Sequence, residues 1–118
     1  MTPEATAAMQ AASTVTGIPH AAITGKRRHA HVVVARFLAW HIMRDGGATL
    51  PKIAVQFDRD HTSIMNGLRR FDEWMGEDFS VREMRQNAWA LYRAALLYQR
   101  LPTMPHFYRH GHFQEQAT

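Results

Sequence analysis

The sequence predicts an all-α fold built around a helix-turn-helix, with an additional helix near the C-terminus. The prediction rests on two segments, 49–57 and 60–75, each of which joins a capping residue to apolar residues at helical spacing. Only a short connection separates the two segments, which is the arrangement of a helix-turn-helix. Helical patterns also precede and follow them, and no segment makes a convincing strand.

The first predicted helix starts at the N-terminus of the chain. Thr2 can cap the free N–H groups, and Pro3 fits the first turn. The alanine-rich stretch would continue the helix to about Val15, and Gly17 would end it. A single short turn over residues 20–24 should follow.

The next predicted helix begins near His29 and ends at residues 45–47, which read Asp-Gly-Gly. The adjacent valines at 32–34 also fit a strand. However, the apolar spacing continues through Phe37 to Ile42, which favours a buried helix.

The helix-turn-helix would span about residues 49–75. Thr49 caps its first helix, Pro51 lies in the first turn, and residues 58–59 lead to a second cap at Asp60. The second helix is amphipathic, because apolar residues recur at i, i+4 and i+7. These residues are Ile64, Leu68 and Phe71.

A last helix is predicted over about residues 80–100. Ser80 and Glu83 have the Ser-x-x-Glu spacing of a capping box, and Pro102 would end the helix. Its expected inner face comprises Ala88, Leu91, Tyr92, Ala95 and Leu96. Residues 101–118 have no helical period and are predicted to be a mobile tail, so residues 1–100 would form one domain.

The composition is that of an ordinary globular protein. The chain has 118 residues, of which 46% are apolar and 20% charged, enough for one modest core. The absence of cysteine excludes disulfides and thiolate metal sites. The N-terminus does not read as a secretory signal, and no apolar run is long enough to span a membrane. We therefore expect a cytoplasmic protein without a membrane partner.

The net charge of +4 is concentrated in the middle of the chain. Residues 20–70 contain nine lysines and arginines against three acids, a net charge of +6. A basic patch attracts a polyanion and releases its condensed counterions. The middle of the chain is therefore the candidate nucleic-acid surface.

The second helix of the helix-turn-helix contains the candidate base-reading residues, because in this motif it enters the major groove and its first residues meet the base edges. These residues are Asp60, His61, Thr62, Ser63 and, one turn later, Asn66. Asp60 can accept a hydrogen bond from a cytosine amino group, and Asn66 could pair with an adenine or reach a phosphate. Arg59 is placed for a guanine or the backbone. The alternative is that Asp60 is only a helix cap, a role that is compatible with base contact.

The run LPKIAVQFDRDHTSI over residues 50–64 resembles the signature of the C-terminal DNA-binding domain of the bacterial replication initiator DnaA. In that family, Leu-Pro-x-Ile-Gly-x-x-Phe leads into Arg-Asp-His-Thr-Thr-Val. The resemblance extends upstream through residues 17–28 and 35–39 and covers about residues 10–75. It implies a Trp-repressor-like helix-turn-helix that binds double-stranded DNA and regulates replication or transcription.

The resemblance also implies which residues contact DNA. The basic loop, Lys26, Arg27 and Arg28, would reach phosphates and the minor groove. At the start of the first helix of the motif, Thr49, Leu50 and Pro51 would lie near the backbone and thymine methyls. The remaining contact residues belong to the recognition helix and its start: Arg59, Asp60, His61, Thr62, Ser63, Asn66, Arg69 and Arg70.

The sequence departs from the family pattern in three places. The family's basic loop is longer and continues to an Ala-Arg-Pro-Arg-like stretch, whereas here an apolar residue, which we take to be Val32, replaces the arginine expected in the minor groove. Residues 45–48 resemble an insertion. The family's AAA+ module has no counterpart, because no Gly-x-x-x-x-Gly-Lys-Ser/Thr motif is present. We therefore expect no nucleotide partner and no ATP hydrolysis.

Eight histidines suggest a metal site as an alternative. Two of them, His29 and His31, flank the basic loop, and three more, His106, His110 and His112, lie in the predicted tail. Zinc requires three or four ligands with supporting neighbours, and neither cysteine nor a nearby carboxylate cluster completes such a set. The sequence therefore predicts no metal and no cofactor.

Catalysis is a second alternative. Asp60, His61 and Ser63 are the residue types of a catalytic triad, but neighbouring positions around a helix cannot supply the geometry, since Ser and His must face each other across a site. We expect no catalytic residues and no enzymatic activity.

A protein-interaction module is the third alternative. Trp40, Trp74 and Trp89, with the stripe Tyr92, Leu96 and Tyr98, are predicted to be core residues. Some of them could instead form a homodimer face on the last helix or bind a replication or transcription component. Duplex binding by the basic loop and residues 59–63 separates this alternative from the DNA-binding prediction.

Overall fold

The computed structural model describes residues 1–100, and within this range the chain forms only α-helices and their connections. The helices are α1 (Pro3–Thr16), α2 (His20–Thr24), α3 (Ala30–Asp45), α4 (Leu50–Phe57), α5 (His61–Glu77) and α6 (Phe79–Arg100). Residues 1–100 contain no strand, so the all-α prediction is confirmed. The predicted tail over 101–118 lies outside the described residues.

Helix α3 is the centre of the fold and contacts each of the other five helices. Its side chains Leu38, Trp40 and Ile42 are almost completely buried. Helix α1 packs against both α3 and α6. Because α1 is rich in alanine, with Ala5 and Ala8 fully buried, its backbone can come close to both neighbours. The core thus lies between α1, α3 and the later helices.

The predicted caps explain why the helices begin where they do. Thr2 Oγ1 accepts a hydrogen bond from the Ala5 N–H at 3.1 Å. In the helix-turn-helix, Thr49 Oγ1 accepts from Lys52 N–H at 3.3 Å, and Asp60 Oδ1 accepts from Ser63 N–H at 2.8 Å. Each bond satisfies an N–H group that a helix start leaves unpaired. The three predicted starts are confirmed.

The last helix lies where it was predicted, over about residues 80–100, but its predicted capping box is wrong. The helix begins at Phe79, because the carboxylate of Asp78 accepts hydrogen bonds from Ser80 N at 2.9 Å and from Ser80 Oγ at 2.7 Å. The capping residue is therefore Asp78, and the Ser80 hydroxyl donates to it rather than to a capping box. A single residue consequently separates α5 from α6.

The predicted inner face of α6 is correct at Ala88 and Tyr92 and wrong at Leu91. Ala88 and Tyr92 are buried, whereas Leu91 is 41% exposed, because its position on the helix is at the edge of the buried stripe. The stripe also ends earlier than predicted, since Tyr98 is 72% exposed. Trp40 is buried, and the other two tryptophans are half-buried against the core.

Gly67 allows α5 to pack directly on α3. A Cβ atom at this position would lie 2.7 Å from Cζ3 and 2.8 Å from Cε3 of Trp40, and 3.0 Å from the Phe37 ring. Trp40 is 2% exposed, so its ring has little room to move. The absent side chain at Gly67 therefore sets the distance of the predicted recognition helix from the core.

A buried histidine joins three helices. His41 Nε2 lies 2.8 Å from Asp72 Oδ1, and Arg85 Nε donates to His41 Nδ1 at 3.2 Å. Because Nδ1 accepts, Nε2 holds the proton and donates to Asp72. Arg85 also forms an ion pair with Asp45. Burial lowers the pKa of His41, against the rise caused by the hydrogen bond to Asp72, and the Arg85 charge lowers it further. His41 is therefore neutral in the folded protein near neutral pH.

We expect the stability to fall in mild acid because of His41. The pKa of His41 in the folded state lies below the value of about 6.5 expected in the unfolded chain. As the pH falls, the unfolded state therefore takes up the proton first, and the contribution to stability, complete above that value, decreases. Urea unfolding between about pH 5 and pH 8 measures this slope. In His41→Gln the slope should be shallower than in the wild type. Equal slopes in the two proteins would contradict the assignment.

Of the six helices in residues 1–100, none combines the length and the apolar character needed to cross a membrane.

Candidate nucleic-acid interface

Helices α4 and α5 form the helix-turn-helix, and a tight turn over residues 58–60 sets their relative orientation. Asp58 adopts a left-handed backbone conformation, with φ 52° and ψ 54°. Aspartate tolerates this conformation better than most residues. The following N–H, of Arg59, bonds back to Ala54 O at 2.9 Å and closes the C-terminus of α4. The turn directs α5 away from α4 with its first residues exposed.

The start of α5 presents its polar side chains to solvent. His61, Thr62, Asn66 and Arg69 are exposed, and their spacing places them on one face of the helix. The Asp60 carboxylate caps the helix, and hydrogen bonds from Ser63 hold the pKa of Asp60 below its ordinary value. Asp60 is therefore ionised and also exposed. The capping role suggested as its alternative is present, and it leaves the residue accessible to a base edge.

The basic loop is attached to the turn of the helix-turn-helix by two side chains. Lys26 Nζ donates to Asp58 O at 2.7 Å and lies 3.6 Å from Asp58 Oδ2. The Arg59 side chain reaches from the turn toward the loop, where its Nη2 donates to Gly25 O at 2.6 Å. Its Nη1 donates to Phe57 O, at the end of α4, at 2.8 Å. Its guanidinium also lies 5.9 Å from the centre of the Trp40 ring. These contacts place the loop at a fixed position beside the start of α5.

Arg36, on α3, also holds the basic loop in place. The sequence analysis did not select this residue. Arg36 is 4% exposed. Its guanidinium donates to Ile23 O at 2.8 Å, to Arg27 O at 2.9 Å and to Ala22 O at 3.0 Å. Burial lowers the pKa of Arg36, and the nearby charges of Arg59 and Arg28 lower it further. The sequence signal was an arginine inside an otherwise apolar helical run.

An open cleft of about 580 Å³ lies between the basic loop, α3 and α5. Its lining includes six cationic side chains and two polar ones from α5. The cations are Lys26, Arg28, Arg36, Arg59, Arg69 and Arg70, and the polar residues are Ser63 and Asn66. No carboxylate of residues 1–100 contributes to this lining. We call this feature the basic cleft. Its charge suits a polyanion such as a nucleic-acid backbone.

The predicted site residues divide into those that line the basic cleft and those that lie outside its lining. The basic cleft contains those of the loop, except Arg27, together with Arg59 and the later polar and basic residues of α5. Six predicted residues are exposed and do not line the cleft. They are Arg27, Asp60, His61 and Thr62, with Thr49 and Pro51 at the start of α4. Leu50 is half-buried and packs against the core.

Two cations of α5 also contact neighbours on their own helix. Arg69 Nε lies 3.8 Å from Glu73 Oε2, and both side chains are more than half exposed. Such a pair contributes little in water, so Arg69 can leave Glu73 for another anion. The Arg70 guanidinium lies 5.4 Å from the Trp74 ring centre. Both cations therefore remain accessible from the cleft.

Two further exposed residues on the helix-turn-helix were not selected from the sequence. Met65, on α5, is 50% exposed, and Val55, on α4, is 75% exposed. Both are apolar, and the sequence analysis gave neither of them a role. Their exposure depends on how the helices pack, which the sequence alone does not show.

The geometry also bears on the metal and catalytic alternatives. Within residues 1–100, no three histidine, aspartate or glutamate side chains are close enough to hold a metal ion. His29 and His31 are exposed, and the three histidines of the predicted tail lie outside the described range. Asp60 bonds to the Ser63 N–H, which is helix capping and not the orientation of a catalytic base.

The family model described as the bacterial dnaA protein helix-turn-helix matches residues 6–70, more than half of the 118 residues. The matched region contains the basic loop, α4, the turn and the first part of α5 up to Arg70. The resemblance inferred from the sequence is confirmed. Helix α6 begins after the matched region ends.

Proposed function

The chain belongs to the bacterial DnaA helix-turn-helix family, and on this basis we propose that it binds double-stranded DNA with a sequence preference and regulates replication or transcription. The observation that supports the proposal most strongly is the basic cleft beside an exposed recognition helix. The two features provide, side by side, a surface for phosphates and a surface for bases.

Phosphate binding is assigned to the cations that remain accessible. Arg27 and Arg28 are exposed on the loop, and Arg69 and Arg70 lie on α5. Each can neutralise a backbone phosphate and release counterions. Arg59 and Lys26 face the turn and hold the loop in place. We therefore assign to these two a smaller direct contribution than the sequence suggested.

Base recognition is assigned to the first two turns of α5. Asp60, His61, Thr62 and Asn66 are exposed there, and Ser63 lies at the border of the basic cleft. Their donors and acceptors match those of base edges in the major groove. Thr49, Leu50 and Pro51, at the start of α4, would lie at the mouth of the groove, next to the backbone.

Replacing Arg27 with alanine should weaken binding to every duplex by a similar factor. The plot of log Kd against log salt concentration should become shallower by about one, because one fewer phosphate is neutralised. Fluorescence anisotropy at several salt concentrations measures this slope. Arg93→Ala is the matched control, since Arg93 is exposed on α6 and should leave the slope unchanged. An unchanged slope in Arg27→Ala would remove Arg27 from the phosphate contacts.

Replacing Thr62 with alanine should weaken binding to the preferred duplex about tenfold, or about 1.4 kcal/mol, and change binding to random DNA little. The physical reason is that Thr62 is exposed in the first turn of α5, where side chains contact base edges. Thr14→Ala, at an exposed position on α1, is the control and should change neither affinity. Equal losses on both duplexes would mean that Thr62 reads no base.

Selection from a random-sequence duplex pool tests the proposed function itself. The wild-type chain should enrich a common motif after several rounds. Binding without an enriched motif would limit the function to nonspecific DNA binding. Absence of binding at low salt would contradict the proposal and favour the protein-interaction alternative.

A second proposal concerns α6, which could join two copies of the chain. Leu91, Leu97 and Tyr98 are exposed on this helix, and large exposed apolar side chains are common at protein interfaces. A dimer would read two spaced half-sites. Sedimentation velocity should then show a dimer that Leu97→Glu converts to a monomer. A wild-type chain that sediments as a monomer at all concentrations would contradict this arrangement.

A further inference from the structure

Met65 is an apolar side chain in the exposed recognition surface of α5. It is 50% exposed. On the helix surface its neighbours are Thr62 on one side and Arg69 on the other, at i−3 and i+4, and both are exposed. Met65 thus lies among the residues assigned to DNA contact.

Packing within the core does not explain why residue 65 is a methionine. The buried residues of α5 are Ile64, Gly67 and Phe71, which share the opposite face of the helix. Truncating Met65 would therefore leave no cavity among them, and alanine has a high helix propensity. The position tolerates substitution, so the loss of a specific contact can be measured without loss of the fold.

The major groove contains one apolar group at its base edges, the C5 methyl of thymine. Methionine is flexible and polarisable, and it adapts to apolar surfaces of irregular shape. Met65 is the fifth residue of α5, within the first two turns that enter the groove.

We propose that Met65 contacts the C5 methyl of a thymine and is a specificity-determining residue of the DNA site. The inference rests on the proposed function, because it requires α5 to enter the major groove. It adds the chemical class of one recognised base, at a position that the sequence comparison did not select.

Deoxyuridine scanning tests the contact. The probe is the duplex that the wild-type chain enriches from a random-sequence pool, with each thymine replaced in turn by deoxyuridine, which removes only the methyl group. Wild type and Met65→Ala are compared by fluorescence anisotropy.

At one thymine the wild type should lose about three- to tenfold in affinity, the effect of about one buried methyl group. Met65→Ala should lose a similar factor on the unmodified duplex and nothing further at that thymine. Met65→Leu should retain most of the affinity and the sensitivity to deoxyuridine.

Three results would overturn the inference. Two leave the proposed function in place: an enriched duplex without any thymine whose methyl matters to the wild type, and Met65→Ala with the wild type's sensitivity at every thymine. The third is the absence of an enriched duplex, which contradicts the proposed sequence preference and the inference together. Circular dichroism shows that each variant is folded before binding is measured.

Discussion

Replacing Arg36 with methionine is expected to reduce the free energy of unfolding by about 3 kcal/mol and to displace the basic loop. Three main-chain carbonyls, of Ala22, Ile23 and Arg27, would lose the hydrogen bond from Arg36. Ala22 O would keep its bond from the Gly25 N–H. Methionine fills much of the same space but cannot donate a hydrogen bond. In a domain of this size the melting temperature should fall by more than about 10 °C.

Arg44→Met is the matched control for this variant. Arg44 lies on the same helix, is exposed, and donates one hydrogen bond of 3.3 Å to Ala48 O. Its replacement should change the stability by less than about 1 kcal/mol. If Arg36→Met is also close to the wild type in both stability and duplex affinity, Arg36 does not hold the loop.

Replacing Gly67 with alanine is expected to destabilise the fold by about 2 kcal/mol in net terms. The new Cβ would lie 2.7 Å from the buried ring of Trp40, and overpacking as tight as this is expected at the upper end of the usual cost, about 3 kcal/mol. The gain in helix propensity, about 1 kcal/mol, offsets only part of this cost. Because α5 must also shift away from α3, sequence-preferring duplex binding should weaken with it. Urea unfolding and anisotropy at a temperature where the variant is folded measure the two effects.

Gly76→Ala is the control on the same helix, because a Cβ at Gly76 would meet no atom within 4 Å. This variant should be as stable as the wild type or more stable, by up to about 1 kcal/mol. A Gly67→Ala protein that is also stabilised would show that the Trp40 ring can move, and that Gly67 does not set the position of α5.

The elements that the sequence predicted well are those determined by local chemistry. Thr2, Thr49 and Asp60 cap helices in the structure because each is followed by residues that favour helix and by an N–H within reach. Where two local signals compete, prediction fails. Asp78 and Ser80 both fit a cap, and only the structure shows that Asp78 accepts both hydrogen bonds.

The elements that were missed depend on contacts distant in sequence. Arg59 looks like a free cation beside the recognition helix, but its guanidinium bonds to Gly25 O, directly before the basic loop. Leu91 has the spacing of a core residue, yet it is 41% exposed, because it lies at the edge of the buried stripe of α6. Arg36 and Met65 were overlooked for opposite reasons, one being charged and buried, the other apolar and exposed. In each case tertiary packing decides between two roles that the residue type permits.

The measurement that tests the central claim most directly is fluorescence anisotropy with a labelled duplex that contains the DnaA box, against a scrambled duplex, over a range of salt concentrations. The account predicts tighter binding to the box near physiological salt, and for both duplexes a decrease in affinity as salt increases, because phosphate contacts release counterions. Equal affinity for the two duplexes would contradict recognition in the manner of the family, and absence of binding to either would contradict the DNA-binding function.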